Sequence, residues 1–135
     1  MALLTWSDGL SVGVKAMDEQ HKILVEILNE LHTAMMDGQA HAIAGALLDK
    51  LVDYTHFHFA CEEKLIGGAQ FPGLALHRQQ HQDLTKEVEV FVARYRKGEE
   101  MLTLHLMNFL RDWLSNHILE EDKQYGLWLN QHGVS

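Results

Sequence analysis

Residues 54–66 read YTHFHFACEEKLI, and this stretch decides the fold because it joins a helical pattern to ligand-type side chains. Apolar residues recur at the three- and four-residue spacing of one helix face, at Tyr54, Phe57, Cys61 and Leu65. His58 and Glu62 are four residues apart, so they share a second face of the same helix. The stretch therefore predicts an amphipathic helix that presents an imidazole and a carboxylate together.

Three further segments of helical length flank this one, because few residues interrupt helix formation. The chain has one proline and no alternating β-branched runs, so strands are not expected. Breaks rich in glycine place the helices at about Asp18–Met36, His41–Ile66, Pro72–Lys97 and Glu100–Trp128. Pro72 suits the first turn of the third helix. Four helices with short connections predict an all-α fold, an antiparallel up-down-up-down four-helix bundle.

The helical segments divide the chain into three parts that we expect to form a single domain. An extended N-terminal arm covers residues 1–17, the bundle residues 18–128 and a tail residues 129–135. A length of 135 residues fits one domain with a sizeable core. Trp6 in the arm is expected to cover one end of the bundle, and a partner surface is the other interpretation of this residue.

Charge and cysteine content exclude several classes of function. Eleven Lys and Arg residues against nineteen Asp and Glu give a net charge of −8, which disfavours binding to nucleic acids or anionic membranes. The single cysteine excludes an internal disulfide and Cys-rich zinc or iron–sulfur sites. No apolar run reaches the roughly 18 residues of a membrane span, and no signal peptide is evident. We therefore expect a soluble cytoplasmic protein.

Ten histidines are the unusual feature of the composition. Each predicted helix carries at least one side chain of the type that binds metals, and together they are His21, His58, Glu62, His77, His81, His117 and Asp122. They lie near the starts of the first and third helices and near the ends of the second and fourth. In an antiparallel bundle these positions meet at one level, so all seven groups are expected to converge.

Such a cluster calls for metal ions. Five imidazoles and two carboxylates would be costly to bury without partners, and they suit two first-row metal ions bridged by the carboxylates. One step is geometrically weak, because His117 and Asp122 are five residues apart and lie about 140° apart on an ideal helix. Asp122 faces the site only if the helix is distorted there, for instance by a π-bulge.

Other residues of the same types are expected to lie outside the cluster. The remaining histidines are His32, His41, His56, His105 and His132. Glu63, Glu120 and Glu121 are expected on solvated faces, beside the inward-pointing Glu62 and Asp122. Cys61 is interpreted as a small buried hydrophobic residue.

At these residues the chain resembles the hemerythrins, and in particular the single-domain bacteriohemerythrins. The motifs are the arm WSDGLSVGV, then MDEQH, HFACEE, HRQQH and HILEED, and the resemblance runs through essentially the whole chain. It implies two iron ions, one bound by His77, His81 and His117 and the other by His21 and His58. Glu62 and Asp122 would bridge them, with an oxo or hydroxo group as a third bridge.

The resemblance also implies a function. The iron with two histidines is one ligand short, and dioxygen would bind at that open position, for storage, transport or delivery rather than for catalysis. An apolar pocket would protect the bound oxygen, and we expect its lining at Phe59, Trp113, Leu114 and Ile118. Ordinary bundle core would place the same four side chains inside equally well.

Three other functions stay open at this point. A di-iron oxidase, peroxidase or nitric-oxide reductase is disfavoured because no Glu-x-x-His motif occurs. An oxygen or redox sensor would need a signalling domain, for which 135 residues leave no room. A dinuclear zinc hydrolase would need an open polar cleft.

For oxygen delivery, the partner would be an oxygen-consuming recipient protein. The sequence leaves the oligomeric state open.

Overall fold

The computed structural model describes residues 3–37, 41–98 and 104–135. Helix α1 spans Lys15–Met36, α2 spans His41–Gly68 and α3 spans Leu74–Arg96. The fourth helix of the bundle has three consecutive parts: α4 at Leu104–Asn116, a π-helical turn at His117–Asp122, and α5 at Lys123–Gln131. No strand occurs among these residues, so the predicted all-α class is confirmed.

The four helices form an antiparallel bundle around one core. Helix α1 packs against α2 and α4, and α2 packs against α3. The sequence pattern of α1 predicts inward positions at Met17, Leu24, Leu28, Leu31 and Met35; the first four are buried and Met35 is partly buried. Burial of such apolar faces is the main force that holds amphipathic helices in place.

Two helix starts differ from the sequence-based positions. Helix α1 begins at Lys15 rather than near Asp18, and the Asp18 carboxylate in its first turn accepts hydrogen bonds from the Ser11 hydroxyl and the Val12 N–H in the arm. Helix α3 begins at Leu74, and Pro72 lies in the preceding turn rather than in the first helical turn. The predicted start of the fourth helix, near Glu100, lies outside the described residues.

The apolar stripe predicted for α2 is only partly right: Leu51, which belongs to the same repeat, is fully buried, whereas the continuation from Tyr54 to Leu65 lies away from the centre of the buried face. Phe57 is 53% exposed, and Tyr54, Cys61 and Leu65 are only partly buried. Together with Leu51, the inward face carries Leu48, Thr55, His58, Phe59, Glu62 and Ile66. Ligand-type polar side chains occupy part of the interior face, so hydrophobicity alone points to a face that is rotated away from the true one.

The N-terminal arm packs along the bundle and is held there by side-chain hydrogen bonds. The Asn29 side chain bonds to both the N–H and the carbonyl of Leu4, at 3.0 and 2.9 Å. The Asn130 amide donates to the Gly13 carbonyl at 2.9 Å, and Gly13 has a positive φ of 78°. Trp6 packs against the core, with the Lys22 ammonium 5.5 Å from its ring centroid. The arm therefore covers part of the bundle.

One close approach joins the arm to α5. A Cβ placed on Gly126 would lie 1.9 Å from the Val12 carbonyl oxygen, far inside van der Waals contact. Glycine is therefore required where the arm crosses this helix. Because α5 continues directly from the π-helical turn, the arm supports the helix that carries Asp122.

In the part of the chain that the structure describes, no helix combines the length and apolarity needed to cross a membrane.

Candidate metal centre

The structure brings all seven predicted side chains together in the bundle interior. They come from all four bundle helices, and each is between 0 and 3% exposed. His21 comes from the start of α1, His58 and Glu62 from the second half of α2, and the remaining four from α3 and the π-helical turn. The convergence arises because antiparallel helices bring alternate starts and ends to one level.

The seven residues form two groups that share both carboxylates. One group contains His77, His81 and His117 with Glu62 and Asp122, and the other contains His21 and His58 with the same two carboxylates. Within each group, one potential ligand atom from each residue lies within 4.8 Å of all the others. We call these groups the three-histidine group and the two-histidine group.

Glu62 directs its two oxygens to different groups. Its Oε1 atom lies 2.7 Å from His77 Nε2 and 2.8 Å from His81 Nε2. Its Oε2 atom lies 3.1 Å from His58 Nε2 and 3.5 Å from His21 Nε2. A carboxylate placed in this way has one oxygen available for each of two adjacent cations.

Asp122 repeats the arrangement from the opposite side. Its Oδ1 atom lies 3.0 Å from His117 Nε2 and 3.1 Å from His77 Nε2. Its Oδ2 atom lies 3.0 Å from His21 Nε2. Every histidine of the cluster thus presents Nε2 to the carboxylates, which leaves Nδ1 turned away from the centre.

The π-helical turn is what allows Asp122 to take part. His117 and Asp122 mark its two ends, and both side chains are buried. In a π-helix the backbone bonds run from residue i to i+5, so residues five apart lie on the same side of the helix. The local distortion that the sequence required is therefore present, and it removes the 140° mismatch of a regular helix.

The donor set fits metal ions, because several buried polar atoms have no other use. Among the described residues, His21 Nε2, His58 Nε2 and His117 Nε2 and both carboxylate oxygens of Asp122 are buried and make no hydrogen bond of normal geometry, although each lies 3.0–3.1 Å from another polar atom of the cluster. Buried polar atoms are rarely left unpaired, because the cost is about 1–3 kcal/mol each. Imidazole nitrogens and carboxylate oxygens are donors suited to first-row transition metals.

The electrostatics of the protein groups agree with a site built for cations. Burial lowers the pKa of His21 and His77, but the nearby Asp122 and Glu62 outweigh burial and raise both pKa values to about 9. Burial also opposes ionisation of Glu62, yet the surrounding histidines hold its pKa well below the ordinary value. The cluster therefore keeps ionised carboxylates in the interior and attracts positive charge.

Sequence reasoning missed the residues that support the histidines. Glu63 and Glu121 were expected on solvated faces, but Glu63 Oε2 lies 2.8 Å from His81 Nδ1 and Glu121 pairs with His117 Nδ1. Gln20 Oε1 lies 2.6 Å from His58 Nδ1. The four-residue spacing from His117 to Glu121 was a usable signal. The pairing of Glu63 with α3 has no local signal, since the partners are 18 residues apart.

Tyr125 is a further residue that sequence reasoning missed. It is fully buried, and its hydroxyl donates a hydrogen bond to Glu62 Oε2 at 2.9 Å. Its ring also lies edge-on against His77, with 5.4 Å between the centroids. Tyr125 therefore fixes the orientation of one carboxylate shared by the two groups.

The four residues expected to line an oxygen pocket are all buried, and Phe59 contacts the cluster directly. Phe59 stacks on His81 with the ring centroids 3.8 Å apart, and it lies 5.3 Å from His117 and 5.7 Å from His58. Trp113 uses its indole N–H as a donor to the Leu84 carbonyl at 3.3 Å. Leu114 and Ile118 are at most 1% exposed. Their role in oxygen binding stays a prediction.

Other histidines whose side chains the structure describes lie elsewhere. His56 pairs with Glu89 on the surface at 2.8 Å, and His132 stacks on Trp128. His32 is partly buried, and the side chains of His41 and His105 lie outside the described set. Cys61 is only partly buried rather than buried.

Known proteins share both the sequence and the fold. Residues 12–129 match the family model of the hemerythrin HHE cation binding domain. A bacteriohemerythrin of Stenotrophomonas maltophilia is 39% identical over 132 residues, covering 98% of this chain and 85% of the relative. A bacteriohemerythrin of Methylococcus capsulatus is 35% identical, covering 93% of this chain and 96% of the relative.

Solved structures give the same result. The crystal structure of a wild-type hemerythrin superposes with a TM-score of 0.87 at 32% identity, covering 93% of this chain and 97% of the other. The bundle, the shared carboxylates and the histidine groups are thus accompanied by similarity along nearly the whole sequence. This chain belongs to the hemerythrin family.

Proposed function

We propose that this chain binds dioxygen reversibly at a non-haem di-iron centre, for oxygen storage, transport or delivery. The observation that carries the proposal is the placement of Glu62 and Asp122, each of which turns one oxygen to each histidine group. Two bridging carboxylates between adjacent ions require this geometry. Relatives named bacteriohemerythrin and hemerythrin support the same function.

The two groups would hold the two ions differently. His77, His81 and His117 would bind one iron, His21 and His58 the other, and Glu62 and Asp122 would bridge them together with an oxo or hydroxo group. When bound, the iron pair would supply the electrons for reversible dioxygen binding. The two-histidine group offers one nitrogen fewer, so we assign dioxygen to that side.

The protein itself supplies enclosure. The seven cluster residues are at most 3% exposed, and we propose that Phe59, Trp113, Leu114 and Ile118 form the apolar lining of an oxygen pocket. Such a lining slows the entry of water and protons to the site. Enclosure on this scale favours a diatomic ligand over a larger substrate, and it supports oxygen binding rather than catalysis.

We further propose that the chain acts as one domain in the cytoplasm and delivers oxygen to an oxygen-consuming protein. A single continuous core, which includes residues of the arm and of every bundle helix, supports one domain. The lone cysteine and the net charge of −8 are compatible with a reducing, aqueous compartment.

The first experiment combines a metal assay with visible spectroscopy. The iron-loaded protein is reduced without air, exposed to oxygen and then returned to an oxygen-free atmosphere. We expect about two iron ions per chain and an absorption band that appears with oxygen and disappears on its removal. A band that decays within seconds without recovery would favour a redox enzyme or sensor, and zinc in the purified protein, or no bound metal after iron loading, would contradict the di-iron assignment.

A pair of neighbouring histidines provides a matched control. His58→Ala removes a member of the buried two-histidine group, whereas His56→Ala removes an exposed histidine two residues earlier on the same helix. We expect His58→Ala to abolish the reversible band and to lower the iron content, and His56→Ala to retain both. Equal behaviour of the two variants would contradict the assigned ligand set.

A further inference from the structure

The hydrogen bonds behind the histidines are distributed unequally between the two groups. In the three-histidine group, His81 Nδ1 faces Glu63 Oε2 at 2.8 Å, and His117 Nδ1 faces Glu121 Oε2. In the two-histidine group, His58 Nδ1 faces the uncharged Gln20 amide oxygen at 2.6 Å. His21 Nδ1 is buried and has no hydrogen-bond partner among the described residues.

This inequality has an electronic consequence. A carboxylate that accepts the Nδ1–H of an imidazole raises the basicity of Nε2, which makes that nitrogen a stronger metal ligand. An amide oxygen carries no net charge and has a weaker effect of the same kind. The three-histidine group therefore has two ligands strengthened by carboxylates, whereas the two-histidine group has only the weaker amide contact behind His58.

The same carboxylates also change the local charge. Glu63 and Glu121 add two negative charges next to the three-histidine group, and both side chains are only about one quarter exposed, at 25% and 24%. Arg78 offsets part of the first charge, since its Nε lies 3.2 Å from Glu63 Oε1. Arg78 is 55% exposed, however, so solvent screens it more strongly than it screens the two carboxylates.

We propose that Glu63 and Glu121 are positioning residues that make the two metal positions unequal. They would give the three-histidine position the higher metal affinity and stabilise the higher oxidation state of the ion held there. Gln20 and the unpaired His21 Nδ1 would leave the two-histidine position weaker and more easily kept ferrous. The inference rests on the proposed function, because it requires two bound ions.

The first test is a titration of the metal-free protein with Co²⁺. Binding is measured by calorimetry and by the d–d absorption of the bound ion. For the wild type we expect two separate binding steps. The double variant Glu63→Gln/Glu121→Gln keeps acceptors behind both histidines but removes the charges. We expect it to weaken the first step about 10–100-fold and to leave the second step nearly unchanged.

Two further variants separate this effect from general changes in charge or folding. Glu120→Gln removes a charge from an exposed residue next to Glu121, and we expect no change in either step. Gln20→Glu adds a carboxylate behind His58. We expect it to strengthen the second binding step and to reduce the difference in Co²⁺ affinity between the two steps. Circular dichroism and unfolding curves establish that each variant is folded.

The second test measures the midpoint potentials of the iron-loaded protein by spectroelectrochemistry. We expect the double glutamine variant to raise the potential of the iron that is oxidised first, and Glu121→Asp to restore part of the wild-type value. A merely structural role for these carboxylates would not shift a potential.

The outcomes distinguish the inference from the function on which it rests. If the wild type does not bind two equivalents of either Co²⁺ or Fe²⁺, the di-iron proposal fails and the inference falls with it. If two equivalents bind, but with one shared affinity or with affinities that the double variant does not change, only the inference is overturned.

Discussion

At the scale of single residues, the hydrogen bond from the Tyr125 hydroxyl to Glu62 can be removed without changing other contacts of the ring. Tyr125→Phe removes a buried donor from Glu62 Oε2 and leaves the ring against His77 in place. Because the acceptor is an ionised carboxylate, we expect the free energy of unfolding to fall by about 1–3 kcal/mol. We also expect metal affinity to fall about tenfold, since Glu62 is less well oriented. Denaturant unfolding and metal titration measure the two effects.

Tyr54→Phe is the matched control for this substitution. Tyr54 lies on α2 and is partly buried beside Phe57, with 5.5 Å between the ring centroids. We expect this variant to keep wild-type metal affinity. If the two tyrosine variants bind metal equally well, the Tyr125 hydroxyl does not help to orient the bridging carboxylate.

At the residue scale, the sequence was informative about groups that meet the metal and uninformative about groups behind them. The four-residue spacings of His58 with Glu62 and of His77 with His81 can be read directly from the sequence. Glu63 follows Glu62 directly and looks like part of an acidic surface run, although it supports His81 on another helix. Such a contact depends on how α2 and α3 are rotated against each other, which no local pattern encodes.

At the element scale, the π-helical turn can be tested by changing its length. Deleting the exposed Leu119 places His117 and Asp122 four residues apart, a spacing at which a regular α-helix keeps both on one face. We therefore expect the deletion variant to bind two metal ions per chain. Inserting one alanine after Leu119 should rotate Asp122 by about 100° and abolish binding at both positions.

Metal stoichiometry by elemental analysis decides between these outcomes, with circular dichroism to confirm helical content. If the deletion variant is folded and loses the metals while the insertion variant keeps them, the π-helical turn does not set the direction of Asp122.

The contact between the arm and α5 gives a second test at this scale. Gly126→Ala places a methyl group 1.9 Å from the Val12 carbonyl, and backbone atoms there can yield only by moving the arm. We expect the free energy of unfolding to fall by about 1–3 kcal/mol. Gly45→Ala, in α2, meets no atom within 4 Å and should raise stability by about 0.5–1 kcal/mol.

Equal responses of the two glycine variants in thermal unfolding would mean that the arm does not constrain α5.

The number and order of the helices could be predicted from the sequence, because apolar periodicity and helix-breaking residues are local features. The face that α2 buries could not, because Thr55, His58 and Glu62 take interior positions that a hydrophobicity pattern assigns to the surface. Hydrophobic periodicity therefore fails to identify the buried face of a helix whose interior positions hold polar side chains, although it identifies the buried face of α1.

At the scale of the whole molecule, the cluster couples stability to pH and to metal. Consider the protein freed of metal by a chelator. The pKa values of His21 and His77 rise from 6.5 to about 9 on folding, because Asp122 and Glu62 outweigh the effect of burial. The stabilisation from these raised values is fully present below about pH 6.5 and is lost as the pH rises through 9.

The carboxylates act in the opposite range. The pKa values of Glu62 and Asp122 are lowered below their ordinary 4.5 and 3.8, so their contribution is present above those values and is lost as the pH falls through the lower folded pKa. Burial lowers the pKa of His58 from 6.5, and this contribution is lost as the pH falls below that value. The high-pH loss is therefore governed by the raised histidines.

We accordingly expect the melting temperature of the metal-free protein to fall by about 5–10 °C between pH 6.5 and 9.5. Bound metal replaces the protons on His21 and His77, so the metal-loaded protein should not show this fall. For the same reason, metal affinity should rise with pH across this interval. Calorimetric melting of both forms at each pH is the measurement, and a flat profile for the metal-free protein would show that the interior carboxylates do not hold protons on these histidines.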